Sequence, residues 1–145
     1  MTDFPLIQTV GLSGVLVRFA DTMSEPANRA ALSFRAAVDA AGWPEVAETS
    51  TSLVSTFLQI DLVGVSVDTM LDRLHDLLAT RDWYTSDLPT GRTLWHVPTV
   101  YGTDLAPQLE EAAELAGLDP DAAIAQLSQA RVRVLTIGFA PGQPY

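Results

Sequence analysis

Residues 14–26 have the sequence GVLVRFADTMSEP, in which a short apolar run is followed at once by a helix-start signal. The run at residues 14–19 is rich in β-branched and aromatic side chains, which favour a strand. Ser24 can accept a hydrogen bond from an amide of the first helical turn, and Pro26 has no amide that would lack a partner there. This segment therefore predicts a strand that leads directly into a helix.

Two amphipathic helices are predicted in the first two thirds of the chain. In the first, apolar residues recur at three- and four-residue spacing from position 27 to 41, and Gly42 and Pro44 end it. Most of these residues are alanines, which allow close packing on a sheet. The second helix is capped by Ser66 and presents a broad apolar face down to Thr80.

Further strands are predicted around these helices. Residues 46–52 and 53–61 are rich in β-branched residues and indicate two strands joined by a tight turn near residues 49–52, or one long bent strand. Residues 92–98, RTLWHVP, indicate a last strand. The order β-α-β-β-α-β predicts an α+β, ferredoxin-like domain at residues 1–98, with an antiparallel sheet of four strands and two helices on one face.

The chain changes character after residue 98. Thr103 or Asp104 can cap an alanine-rich helix that ends at Gly117, and a further short helix begins near Asp119. The residues from Val132 onward are strand-like again. Residues 99–145 are therefore expected to form a helical connector that ends in a strand-like segment.

Composition excludes several classes of function. The 145 residues contain no cysteine and no lysine, which removes disulfides, thiolate metal sites, Schiff bases and a phosphate-binding P-loop lysine. The formal charge of −10 argues against nucleic acid and anionic membranes as partners. No acidic cluster has the spacing of a metal loop, so no metal is expected. A signal peptide and an apolar run of ~20 residues are both missing, which predicts a cytoplasmic protein.

The last eight residues, GFAPGQPY at 138–145, resemble a family signature. The signature is Gly-Phe-Ala-Pro-Gly-Phe-Pro-Tyr, so this sequence departs from it at Gln143. A Pro-x-x-Tyr-Gly segment at residues 98–102, PTVYG, and the acidic helix that follows it also match the family in order and spacing. The chain is thereby identified as similar to allophanate hydrolase subunit 1, the B subunit of 5-oxoprolinase and KipI.

The resemblance implies a domain order. Family members begin with a ferredoxin-like domain, followed by a cyclophilin-like β-barrel whose first strand would here be residues 132–139. The family continues for roughly one further domain of ~100 residues, so the chain is expected to be truncated before most of the barrel, or completed by another chain. Val100 stands where cysteine is common in the family, and residues 130–133 replace a stretch that usually holds tyrosine and often histidine.

The resemblance also implies a function. It indicates a subunit of a multi-subunit, ATP-dependent 5-oxoprolinase or allophanate hydrolase-like amidohydrolase that acts on small amides. The partner would be the second subunit, which is the C subunit of 5-oxoprolinase or subunit 2 of allophanate hydrolase, with self-association as a further option. ATP would be used by the assembled complex; no cofactor is expected on this chain, which alone should be inactive. The alternative is a KipI-like inhibitor of a sensor histidine kinase, a non-catalytic interaction module.

Candidate site residues come from two loops and one strand. The glycines of the terminal loop permit close approach to a ligand and its prolines fix its shape, although the loop could equally be a turn at a barrel rim. The loop at residues 101–104 precedes a predicted helix and would offer free amides to an anion, or be an ordinary capping turn. His96, next to Trp95 in the predicted last strand, would be a general base, an interface residue or an ordinary sheet residue. The candidates for ligand or partner binding are Tyr101, Gly102, Gly138, Phe139, Pro141, Gly142, Gln143 and Tyr145.

Overall fold

The computed structural model describes residues 3–135, and the chain divides into two compact units, Met1–Arg92 and Thr93–Tyr145. The described strands are β1 (Leu6–Val10), β2 (Gly14–Arg18), β3 (Val46–Ser52) and β4 (Ser55–Ile60). The helices are α1 (Glu25–Ala41), α2 (Val67–Leu78), α3 (Leu109–Leu115) and α4 (Pro120–Gln129), and a 3₁₀ turn spans Trp83–Thr85.

The four strands form one sheet in the order β1-β2-β4-β3, with antiparallel pairing between all neighbours. Two hairpins therefore lie side by side, and β2 and β4 are the central strands. This confirms the predicted mixture of helices with a four-stranded antiparallel sheet.

The predicted last strand at residues 92–98 is wrong. These residues have no regular secondary structure and are exposed. The edge of the sheet beside β2 is formed by β1 instead. Gly11, at a φ of 63°, lets the chain turn back so that Leu6–Val10 pairs with the adjacent β2. This local pairing occupies the sheet edge that a later strand would have taken, and the observed order of elements is β-β-α-β-β-α.

The hairpin between β3 and β4 confirms two strands and excludes one long bent strand. Its turn lies a little later than predicted, because Ser52 pairs with Ser55 and the turn is made by Leu53 and Val54. Leu53 adopts a φ of 48°, and its carbonyl accepts a hydrogen bond from the Asn28 side chain on α1. The helix therefore helps to hold a turn that lacks the usual Asn-Gly or Asp-Gly sequence.

The two long helices begin and end near the predicted positions. The Ser24 hydroxyl accepts a hydrogen bond from the Ala27 amide at the start of α1, and Gly42 ends that helix in the left-handed conformation. The Ser66 hydroxyl accepts from the Thr69 amide at the start of α2.

The core lies between the helices and one face of the sheet. Alternate residues of the central strands, such as Val15, Val17 and Leu58, are at most 3% exposed and pack with buried residues of both helices. Thr56 is the polar member of this row, and its hydroxyl donates to the Ala31 carbonyl at 2.8 Å. The buried hydroxyl is thus satisfied by the helix that covers it.

The 3₁₀ turn joins the loop after α2 to this core. Trp83 is 3% exposed and packs edge-on against Phe34, with ring centroids 5.2 Å apart. Its indole donates to the Leu78 carbonyl at 2.9 Å, and the Tyr84 hydroxyl donates to the Phe19 carbonyl at 2.8 Å. The indole N–H of Trp83 and the hydroxyl of Tyr84 each have a hydrogen-bond partner. Burial of the two aromatic rings therefore leaves neither polar group unsatisfied.

In the second unit, α3 and α4 pack against each other through small residues, with Ala113 and Ala123 buried. The helix α3 starts at Leu109, later than predicted. The described residues 131–135 are not in a strand, and the rest of the predicted strand at residues 132–139 lies outside the described part. Within residues 3–135, no helix has the length and apolar character needed to cross a bilayer.

Candidate functional site

His96 does not lie in a sheet. Both His96 and its neighbour Trp95 are exposed, Trp95 by 79%. The prediction that His96 lies in the last strand of the sheet is therefore wrong, because residues 92–98 form no strand.

The loop with Tyr101 and Gly102 does not supply the amides of a helix N-terminus. The Thr103 hydroxyl accepts a hydrogen bond from the Leu105 amide at 3.2 Å. The Thr103 carbonyl accepts a second one from the Ala106 amide at 2.8 Å. The helix begins only at Leu109, so the predicted caps at Thr103 and Asp104 are wrong. The first turn of this helix contains Glu110 and Glu111. Their negative charges would repel an anionic ligand.

Tyr101 itself is half-buried, and Gly102 has a φ of 65°. A Cβ atom at Gly102 would lie 2.9 Å from the Leu109 side chain, so this glycine permits the loop to pack closely on α3. The contact gives Gly102 a structural role. The remaining predicted residues, Gly138, Phe139, Pro141, Gly142, Gln143 and Tyr145, lie outside the described residues.

The acidic residues of the second unit do not gather into a metal site. Glu110, Glu111 and Glu114 are exposed on α3, and Asp119 caps α4 by accepting from the Ala122 amide at 2.8 Å. Within the described ranges, no three side chains from His, Asp or Glu are placed to share an ion.

The sheet end at the β1-β2 turn contains a cavity of about 190 Å³, which we call the hairpin cavity. Its walls come from the turn, from the end of β4 and from the start of α2. The lining residues are Thr9, Gly11, Leu12, Ser13, Gly14, Val15, Ile60, Leu62, Val67 and Met70. The spacing of Gly11 and Gly14 signals the turn, but the cavity depends on β4 and α2, which sequence patterns could not place beside it.

The walls of the hairpin cavity are held by short hydrogen bonds. The Ser13 carbonyl accepts from the Ile60 amide at 2.7 Å, and the Ser13 hydroxyl accepts from the Gln59 side chain at 2.7 Å. Met70 and Ile60 are at most 3% exposed. Ile60 and Met70 therefore give the cavity an apolar floor.

A second cavity, of about 210 Å³, lies at the end of α1 and includes Asp39, Trp43 and Thr49 in its lining. The Thr49 hydroxyl accepts from Arg35 at 3.0 Å and donates to Asp39 at 2.6 Å. Asp39 also lies 3.6 Å from Arg35. Asp39 and Thr49 are therefore engaged with each other and with Arg35, and the exposed Glu48 also lines this cavity.

Shifted pKa values in the described part fall on structural groups. The pKa of Glu45 is lowered chiefly by a hydrogen bond from its own backbone amide, with partial burial opposing this and Arg73 adding to it. The pKa of Tyr84 is raised by burial and by the nearby Asp82 carboxylate. Neither group lines either of the two cavities described above.

Comparisons with known proteins agree on one family. A family model described as "Carboxyltransferase domain, subdomain C and D" matches residues 5–145. The chain is 24% identical over 149 residues to the B subunit of 5-oxoprolinase from Bacillus subtilis (strain 168), covering 96% of this chain and 61% of that protein. The chain thus spans less than two thirds of the curated relative.

Two crystal structures are also similar. That of TTHA0988 has a TM-score of 0.60 and 27% identity, with 96% of this chain and 24% of that chain covered. The crystal structure of the conserved uncharacterized protein PH0987 from Pyrococcus horikoshii has a TM-score of 0.52 and 26% identity. This match covers 94% of the present chain and 61% of PH0987. Together with the family match over nearly the whole sequence, these similarities show that the chain belongs to the family of carboxyltransferase domains, subdomain C and D.

Proposed function

We propose that the chain is a non-autonomous subunit of a 5-oxoprolinase-like enzyme, in which the assembled complex opens a small cyclic amide with ATP. The observation that carries the proposal is the similarity to the B subunit of 5-oxoprolinase, which extends over 96% of this chain. The family match over residues 5–145 supports the same assignment.

The geometry of the described residues favours a part that needs a partner. Catalysis of amide opening requires a nucleophile or base held by a second group. His96 is exposed, and the buried hydroxyls of Ser33 and Thr56 each donate to a backbone carbonyl at 2.8 Å. A second subunit would therefore supply most of the reacting groups.

We further propose that the first unit is a variant of the ferredoxin-like fold. In this variant β1 takes the sheet edge that a later strand was expected to occupy.

The test is ATP hydrolysis that depends on 5-oxoproline. The chain and the second subunit are co-expressed and purified, and phosphate release is measured with and without 5-oxoproline. We expect release that requires both chains and the amide, with the second subunit alone as the control. Equal rates without this chain, or no response to 5-oxoproline, would count against the proposal.

A further inference from the structure

The strand β1 lies at one edge of the sheet, with β2 as its neighbour on one side only. The ladder between β2 and β4 continues through two further bonds, from the Ile60 amide to the Ser13 carbonyl and from the Phe19 amide to the Val54 carbonyl. In an antiparallel strand, the backbone groups of successive residues face opposite neighbours. The odd-numbered residues of β2 therefore bond to β4, and its even-numbered residues bond to β1.

The register of β1 then shows which of its backbone groups face outward. Leu6, Gln8 and Val10 pair with even-numbered residues of β2, so their amides and carbonyls face that strand. The amides and carbonyls of Ile7 and Thr9 face away from it. Among residues 3–135, no backbone group bonds to these outward-facing atoms. The edge of β1 can therefore accept another strand.

The sequence of β1, LIQTV, contains none of the features that usually protect a sheet edge. It has no charged residue and no proline, and its pairing with β2 has no bulge. Edge strands that stay unpaired commonly carry such features. The opposite edge strand, β3, has a register shift between Val46 and Glu48 and carries the charge of Glu48. Of the two edges, β1 is therefore the better suited to strand addition.

The backbone of β1 is complementary to that of a second copy in the antiparallel direction. A two-fold axis through Gln8 places Ile7 opposite Thr9 of the second copy, and Thr9 opposite its Ile7. These are the residues whose backbone groups face outward, and each such pair exchanges two hydrogen bonds. The same register therefore satisfies all the free groups of the strand in both copies.

The side chains also match in this register. Leu6 lies opposite Val10 of the second copy, and Val10 is 46% exposed in the single chain. The exposed Gln8 lies opposite its own counterpart, and two amide side chains can hydrogen-bond to each other. The chain has a formal charge of −10, so a contact strand without charge limits repulsion between copies. The nearby Arg18 is paired with Asp21 at 2.6 Å.

We propose that β1 pairs with β1 of a second copy of this chain, so that two sheets join into one antiparallel sheet about a two-fold axis at Gln8. The inference goes beyond the proposed function and does not rest on it. Because only five residues of each copy meet, the dimer should be weak and reversible, with a Kd of about 1–100 μM.

Sedimentation velocity of the purified chain, over a concentration series that spans this range, tests the proposal. Thr9→Pro removes an outward-facing amide and leaves the bonds to β2 intact, so dimerisation should weaken at least about tenfold. Thr51→Pro is the matched control, because Thr51 pairs with Thr56 of β4 and its amide faces outward at the β3 edge. This control should dimerise like the wild type, and urea midpoints check that both variants fold.

A charge exchange at Gln8 tests the register. Gln8→Lys and Gln8→Glu each place like charges opposite each other on the axis, so each variant alone should dimerise at least about fivefold more weakly. An equimolar mixture of the two should recover the dimer, because opposite charges then meet.

A wild-type chain that stays monomeric throughout the series overturns the proposal, as does wild-type dimerisation of Thr9→Pro. Equal losses in Thr9→Pro and Thr51→Pro also overturn it, because the dimer would then not be specific to β1. A mixture of the Gln8 variants that remains monomeric contradicts the two-fold register. A monomeric wild type whose affinity for the second subunit falls in Thr9→Pro would assign this edge to that subunit instead.

Discussion

The ring of Phe57 on β4 lies over Gly14 on β2. A Cβ atom built at Gly14 would be 2.7 Å from Phe57 Cε2 and 2.6 Å from the Val10 carbonyl oxygen. In the sheet, Gly14 pairs with Val10 on β1 and with Gln59 on β4. The glycine therefore allows the two central strands and the first hairpin to fit together on the face away from the helices.

Replacing this glycine should destabilise the first unit. Gly14→Ala forces its methyl group against a backbone oxygen that cannot rotate away, and we expect a loss of about 1–3 kcal/mol in the free energy of unfolding. Urea unfolding followed by tryptophan fluorescence, to which the buried Trp83 contributes, measures the change. Phe57→Ala in the same background should recover only part of the loss, because the Val10 carbonyl stays in place. A Gly14→Ala variant as stable as the wild type would show that the strands have room to separate.

The hydroxyl of Thr56 should contribute measurably to stability. Thr56→Val keeps the side-chain shape but removes the bond to the Ala31 carbonyl, and a loss of about 0.5–1.5 kcal/mol is expected. The matched control is Thr51→Val, since Thr51 is half-buried and pairs directly with Thr56 across the sheet. Equal effects of the two substitutions in urea unfolding would contradict a special role for the buried bond.

Glu45 should make the stability depend on acid pH. Its pKa in the folded protein is lowered, so the charged form stabilises the fold above the unfolded-state pKa of about 4.3. That contribution is lost as the pH falls through the folded-state value. Glu45→Gln should therefore lose less stability than the wild type below about pH 4.5, as measured by urea midpoints between about pH 3 and pH 7.

The control for this pH dependence is Glu48→Gln, on the exposed side of β3. It should follow the wild-type profile more closely than Glu45→Gln does. Removing the Arg73 guanidinium by Arg73→Gln should shift the profile only partly, because the backbone amide of Glu45 remains the main cause of the lowered pKa. Identical acid profiles for all three variants would refute the assignment.

The features that sequence patterns predicted well depend on neighbouring residues. Ser24 and Ser66 cap their helices as expected, because an N-cap involves only the first turn that follows it. Gly42 ends α1 for the same reason. These signals need no knowledge of the tertiary fold.

The features that sequence patterns missed depend on which distant segments meet. Residues 6–10 and residues 92–98 both have strand-like composition, and only the turn at Gly11 decides that the first pairs with β2. Trp83 lies beyond both predicted helices, and no pattern in the sequence indicates that it is buried against Phe34. The hairpin cavity likewise combines three separate parts of the chain, so composition and spacing could not indicate it.

If the chain works as part of a heteromeric enzyme, it should form a stable complex with its second subunit, and the mass of the co-expressed pair measures this. The chain and its second subunit are co-expressed and passed over a size-exclusion column with light-scattering detection. We expect one peak that contains both chains and has a mass equal to a whole-number combination of them. Two separate peaks, each with the mass of one chain or its self-assembly, would contradict the claim.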